Sequence, residues 1–201
     1  MRRRNIPRID QNGKKEYLEL HLYNELRWLL GAATEWSLQD QLGLDIVGYN
    51  VQVYAMDSAC LHARALFEFF AVGATPNHLS CADYIGHRLV SEKYEKWKGT
   101  LHAFLMHAQL RSNPRPLETA NGVKDLNQMP VEFGNEVLRL WTEFEKALET
   151  SQNSGDKELG KLARERRRES IDRAKCVVES EIAKYHSAVK KISLKPVFLF
   201  S

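Results

Sequence analysis

The 201 residues include 43% hydrophobic and 27% charged side chains, with a formal net charge of +3. That balance reads as a soluble globular protein with one sizeable core. No apolar run approaches the roughly 20 residues a membrane-spanning helix needs, and the basic start Met1-Arg-Arg-Arg-Asn5 lacks the apolar stretch of a secretory signal. Cys60, Cys81 and Cys176 form no CxxC pair, which argues against a disulfide framework or zinc ribbon and for reduced thiols in a cytoplasm.

The chain order is helical throughout, with no clear alternating strand pattern. Residues 1–13 contain Pro7 and Gly13 and read as a flexible basic arm. A first helix is expected over about 14–39, where Tyr17, Leu18, Leu20, Leu22, Asn24, Leu26, Leu29 and Leu30 make a broad stripe. Gly43 and Gly48 bracket a turn containing Leu44, Ile46 and Val47. The next helix, about 49–72, carries Val53, Met56, Cys60, Ala63, Phe67 and Phe70 at three- and four-residue spacing. Leu61, Leu66 and Phe69 cover its other faces. A helix apolar nearly all round is expected to be central, and Gly73 and Pro76 end it.

Ser80 suits the N-cap of a short helix through Ala82, Tyr84 and Ile85. A further helix is expected over about 91–111, with Tyr94, Trp97, Leu101, Phe104 and Ala108 on one stripe; 112–128, rich in Pro, Gly and Asn, reads as a surface loop. Pro130 fits the first turn of a helix with Val131, Phe133, Gly134, Leu138, Trp141, Phe144, Ala147 and Leu148 inward. Ser151-Gln-Asn-Ser-Gly155 reads as a linker. Residues 157 to about 192 form a charged helix whose thin stripe (Leu162, Ile171, Ala174, Val178, Ile182, Tyr185, Val189) must pack on the body or on another chain. Leu194-Lys-Pro-Val-Phe-Leu-Phe200 is an apolar end that docks elsewhere or packs on its own body. The expected fold is all-α, an up-and-down bundle of four main helices plus a basic C-terminal helix. Its domains are an arm at 1–13, a helical body at 14–150 and a basic helix with apolar tail at 157–201.

Charge is unevenly spread. Residues 1–15 hold six basic and one acidic side chain, and 157–195 hold twelve basic and six acidic, which leaves the rest at about −8. Either the ends contact phosphates of a nucleic acid or an acidic protein, or they fold back on their own acidic body. On the first alternative, Arg164, Arg166, Arg167, Arg168 and Arg173 are the candidate nucleic-acid contacts.

His and Arg inside apolar helices mark the candidate chemistry, because a buried Arg demands a partner. Asp57, Leu61, Arg64 and Glu68 share one stripe, and Arg64 is either neutralised structurally by Asp57 or Glu68 or belongs to a site. His62 lies on another face and reads as a core or boundary histidine; with Asp57 and Glu68 it belongs to a structural polar network. His107 and Arg111, four apart, pair a general base with a group that stabilises phosphate. His102 and His107 sit five apart, about 140° round a helix, so they do not share a metal. No HExxH, P-loop, GxGxxG or GxSxG motif occurs, and no metal or cofactor is expected.

Asn24-Glu-Leu26, then His62-Ala-Arg-Ala-Leu-Phe-Glu-Phe-Phe70, then a His-bearing helix followed shortly by Arg, resembles the HEPN-like superfamily over residues 16–149. The resemblance implies a helical bundle, often dimeric, of a kind common among RNA-cleaving components of toxin or antiphage systems. The family's catalytic signature is Arg, four to six residues, then His. With His107 as that His, His102 stands where a four-residue spacing places Arg, and no Arg or Lys lies between Lys98 and His107. The expectation is therefore a non-catalytic or weakly catalytic module that binds RNA or a partner protein, in bacterial defence or toxin–antitoxin systems, and forms a homodimer. The alternatives are a metal-independent ribonuclease using His107, Arg111 and Arg64, and a purely structural dimer.

Overall fold

The computed structural model describes residues 9–42, 49–73, 79–106 and 129–185. The glycine-bracketed turn at 43–48, Pro76, the loop at 112–128, the tail at 194–200, and both His107 and Arg111 lie outside the described residues. Among those described, every regular element is helical: α1 (Gln11–Glu16), a π-helical turn (Tyr17–Leu22), α2 (Tyr23–Leu42), α3 (Tyr49–Ala71), α4 (Cys81–Ile85), α5 (Glu92–Met106), α6 (Met129–Thr150) and α7 (Ser154–Tyr185). None of them is long and apolar enough to cross a membrane.

The first helix starts earlier than periodicity indicates. Asp10 caps it, its carboxylate accepting from the Gly13 N–H at 2.8 Å, so residues 11–13 belong to the helix and not to an arm. The Tyr23 N–H then reaches back five residues to the Leu18 carbonyl. This π turn shifts the phase of the stripe, and Leu18, Leu22, Leu26, Leu29 and Leu30 are all buried.

Helices α2 and α3 run antiparallel, as the contacts Tyr17–Phe69 and Glu25–His62 require. α6 lies beneath both, α5 flanks α3, and α7 lies against α2 and α6. An aromatic cluster fills the centre. The Phe67 ring lies 5.1 Å from Tyr94, and Phe70 lies 5.9 and 5.8 Å from Trp141 and Phe144. α3 is not enclosed, however: Tyr54 and Leu61 are 69% and 54% exposed.

The segment expected to be a linker is a tight turn. Asn153 accepts from the Gly155 N–H at 2.9 Å, and the Ser151 hydroxyl donates to Asp156 at 2.9 Å. These bonds reverse the chain directly into α7, whose Leu159, Gly160, Ala163, Ser170, Ile171 and Ala174 face the body. Gly160 permits the close approach, since a Cβ there would stand 2.6 Å from Glu149 Cγ and 2.9 Å from the Glu149 backbone nitrogen. The Trp141 indole N–H donates to the Ala163 carbonyl at 2.9 Å. The charged helix thus packs on its own body from Leu159 to Ala174.

Candidate functional site

A cleft of about 330 Å³ opens between α3 and α5. Arg64 and Glu68 come from α3, and Tyr94, Lys98, Leu101 and His102 come from α5. Heptad-like spacing on α5 puts Tyr94, Trp97 and Leu101 inward, each at most 7% exposed. Lys98 and His102 then fall on the neighbouring outward turns. Among the described residues, nothing lies within 4 Å of where a Cβ on Gly99 would stand.

A buried polar clamp sets the start of α5. The Ser91 hydroxyl accepts from the Tyr94 N–H at 3.0 Å and donates to Glu136 Oε1 at 2.6 Å. Arg139 in turn holds Glu136 at 2.7 and 3.1 Å and reaches the Val90 carbonyl at 3.0 Å. A buried carboxylate on α6 is thereby paired, as burial of charge requires, and the start of α5 is held against α6.

Within the cleft, Arg64 Nε donates to Glu68 Oε1 at 2.7 Å, and Lys98 Nζ donates to Glu95 Oε2 at 2.5 Å. Arg64 is 32% exposed, not sealed in the core. The Tyr94 phenol feels Glu68, Lys98 and Arg64, but burial is the main cause of its raised pKa. His102 is exposed at the rim.

The structure separates several of the sequence-nominated residues. His62 points to the other flank of α3, 2.8 Å from Glu25 Oε2 and 5.1 Å from the Trp28 ring, so it does not enter the cleft. Asp57 is half-buried two turns before Arg64, whose partner in the cleft is Glu68. Of the α7 arginines, Arg167 binds Glu145, Arg164 binds Glu149, Arg166 binds Glu169 and Glu19, and Arg173 binds Glu169. Arg168 is exposed. Four of the five nominated cations therefore hold glutamates of the chain's own body or helix.

Reading the sequence missed Tyr94 and Lys98 as cleft residues, along with the buried carboxylates Glu136 and Glu145. A signal was present for Glu145, which sits beside Phe144 on the apolar stripe of α6. For Lys98 there was none, because a lysine on an amphipathic helix ordinarily faces solvent. No protein-family model matches the chain, and comparisons with curated proteins and with solved structures find no match either.

Proposed function

We propose that the chain is a helical binding module, non-catalytic or weakly catalytic, that takes RNA by its phosphate at the α3–α5 cleft. The observation that carries this reading is the convergence of Arg64, Lys98, His102 and the Tyr94 phenol on one opening. At about 330 Å³, the opening is within the range of small-ligand sites. Among the described residues, Arg64 and Lys98 are paired with exposed carboxylates of their own helices. Such pairs are worth at most about 1 kcal/mol, so a phosphate competes for them readily. Arg164, Arg166 and Arg167 are poorer candidates because Glu149, Glu19 and Glu145 of the body already hold them. Bacterial defence or toxin–antitoxin work, implied by the HEPN-like resemblance, suits such a module.

The test is fluorescence anisotropy with a short single-stranded RNA across a salt series. Affinity is expected to fall with salt, and Lys98→Ala is expected to weaken binding and reduce the log–log slope by about one phosphate contact. Arg168→Ala is expected to bind as the wild type does. Lys98→Ala and Arg64→Ala both binding like wild type would sink the cleft as the site. Metal-independent cleavage of the RNA in EDTA, lost in His107→Ala, would favour the ribonuclease reading instead.

A further inference from the structure

Charge in the α3–α5 cleft is balanced before any ligand arrives. Arg64 Nε donates to Glu68 at 2.7 Å, Lys98 Nζ donates to Glu95 at 2.5 Å, and all four groups act on the one Tyr94 phenol. An incoming phosphate therefore has to displace carboxylates that each carry one negative charge. An internal phosphodiester has that same single charge, so the exchange gains no Coulomb energy. A terminal phosphomonoester carries about −1.5 to −2 near neutrality and presents three acceptor oxygens. Those oxygens are enough to take both Arg64 and Lys98, which now need a carboxylate each.

Shape points the same way. Tyr94 and Leu101 line the cleft while only 7% and 1% exposed, so they form its floor. Stacking on Phe67 at 5.1 Å holds the Tyr94 ring there. A cleft floored by buried side chains receives a chain end more readily than a strand passing through. At its mouth Glu68 and Glu95 are 48% and 56% exposed and repel a phosphate backbone running past. Arg164, Arg166 and Arg167, held by Glu149, Glu19 and Glu145, supply no second track for the phosphates that follow.

We infer that the cleft takes the terminal phosphomonoester of an RNA, at its 5′ or its 3′ end, in preference to the internal phosphodiesters. The inference rests on the reading of this cleft as an RNA-phosphate site and adds which phosphate it selects. Arg64 and Lys98 exchange Glu68 and Glu95 for the terminal oxygens, and the first nucleotide leaves past His102 at the rim.

Fluorescence anisotropy of the full chain with one internally labelled RNA sequence tests this. The RNA is supplied with a 5′-phosphate, with a 3′-phosphate, with hydroxyls at both ends, and as a circle. A phosphorylated form is expected to bind about tenfold tighter than the hydroxyl and circular forms, as one additional charge-assisted hydrogen bond would give. Whichever phosphorylated form gains identifies the end. Lys98→Ala is expected to abolish the advantage and Lys98→Arg to keep it. Uridine 5′- or 3′-monophosphate is expected to compete where uridine does not. Equal affinity for all forms, each weakened by Lys98→Ala, overturns the end preference and leaves the RNA reading standing. Lys98-dependent binding of a uridine monophosphate, with no RNA bound, supports the monoester preference and sinks RNA as its carrier. An end advantage that survives both Lys98→Ala and Arg64→Ala overturns the assignment to this cleft. No binding of any of these ligands overturns both readings.

Discussion

Arg167 meets Glu145 along two parallel lines: Nε lies 3.1 Å from Oε2 and Nη2 lies 3.1 Å from Oε1. The carboxylate is 3% exposed and the guanidinium 14%, so the pair ties α7 to α6 inside the packed region. Arg164 Nε stands 3.8 Å from the same carboxylate. Two planar forks in register give a charge-assisted pair whose geometry is as specific as its energy.

Removing the arginine strands a buried carboxylate, and breaking a pair of this kind costs about 3–5 kcal/mol. Arg167→Ala is expected at the low end, about 3 kcal/mol, because Arg164 remains near. Exchanging both partners, Glu145→Leu with Arg167→Met, is expected to recover most of the loss. Urea unfolding of the wild type and both variants checks this. Equal losses in the single and double variants would show that packing, not charge, holds the contact.

Two glycines on helices are expected to respond oppositely to alanine. At Gly160 the new methyl would stand 2.6 Å from Glu149 Cγ and 3.1 Å from the Glu145 carbonyl oxygen. Glycine usually costs a helix about 1 kcal/mol relative to alanine, but here separation of α6 from α7 outweighs that gain, so Gly160→Ala lowers Tm. Among the described residues nothing lies within 4 Å of a Cβ on Gly31, in the interior of α2, so Gly31→Ala raises it. Thermal unfolding of both variants reads the contrast directly.

Acid sensitivity centres on Glu169. The Tyr23 hydroxyl donates to Oε1 at 2.6 Å, Arg166 donates to Oε2 at 2.8 Å, and Arg173 donates to Oε1 at 3.0 Å. The tyrosine bond first, then Arg166, lowers the carboxyl pKa from the ordinary 4.5 to about 2. A depressed folded pKa stabilises the fold above the unfolded value, and that contribution is lost as pH falls from about 4.5 to about 2. Glu169→Gln is therefore expected to lose stability near neutrality and to show a shallower decline of Tm across that window. A wild-type slope in the variant would remove Glu169 from the acid response.

Thiol chemistry reports the same packing. Cys60 and Cys81 are buried, and Cys176 is exposed on α7. Burial pushes the Cys81 thiol up to about 12, which leaves almost no thiolate near neutrality. Iodoacetamide is expected to label Cys176 rapidly in the folded protein and the other two only after denaturation, as mass spectrometry of the peptides would show. Rapid native labelling of Cys81 would mean that the end of the bundle around α4 opens easily.

Much of the fold was legible along the chain. The three- and four-residue spacing of α3 and α6, Ser80 before α4 and Pro130 in the first turn of α6 are local signals that the fold uses directly. The start of the first helix was less legible, since Asp10 acts through one hydrogen bond and not through periodicity. The cleft was half legible. Arg64 drew notice as a cation in an apolar helix, but its neighbours Lys98 and Tyr94 arrive on another helix, placed by the Ser91–Glu136–Arg139 clamp. The α7 arginines show the converse. One basic run reads the same whether its charges face phosphate or glutamate, and only the approach of α6 and of the π-helical turn at Tyr17–Leu22 assigns Glu145, Glu149 and Glu19 to them.

By itself the sequence determined that the described elements are helical and which stripe of α3 and α6 is buried. Helix formation and amphipathic burial depend on residues a few positions apart. Only the tertiary structure decided that α7 lies on its own body, that four of its five nominated arginines are held by glutamates, and that α3 keeps one apolar seam in water. Each of these depends on which charges and surfaces from distant segments meet, and the pairing of Arg167 with Glu145 across two helices is set by packing geometry that no local pattern encodes.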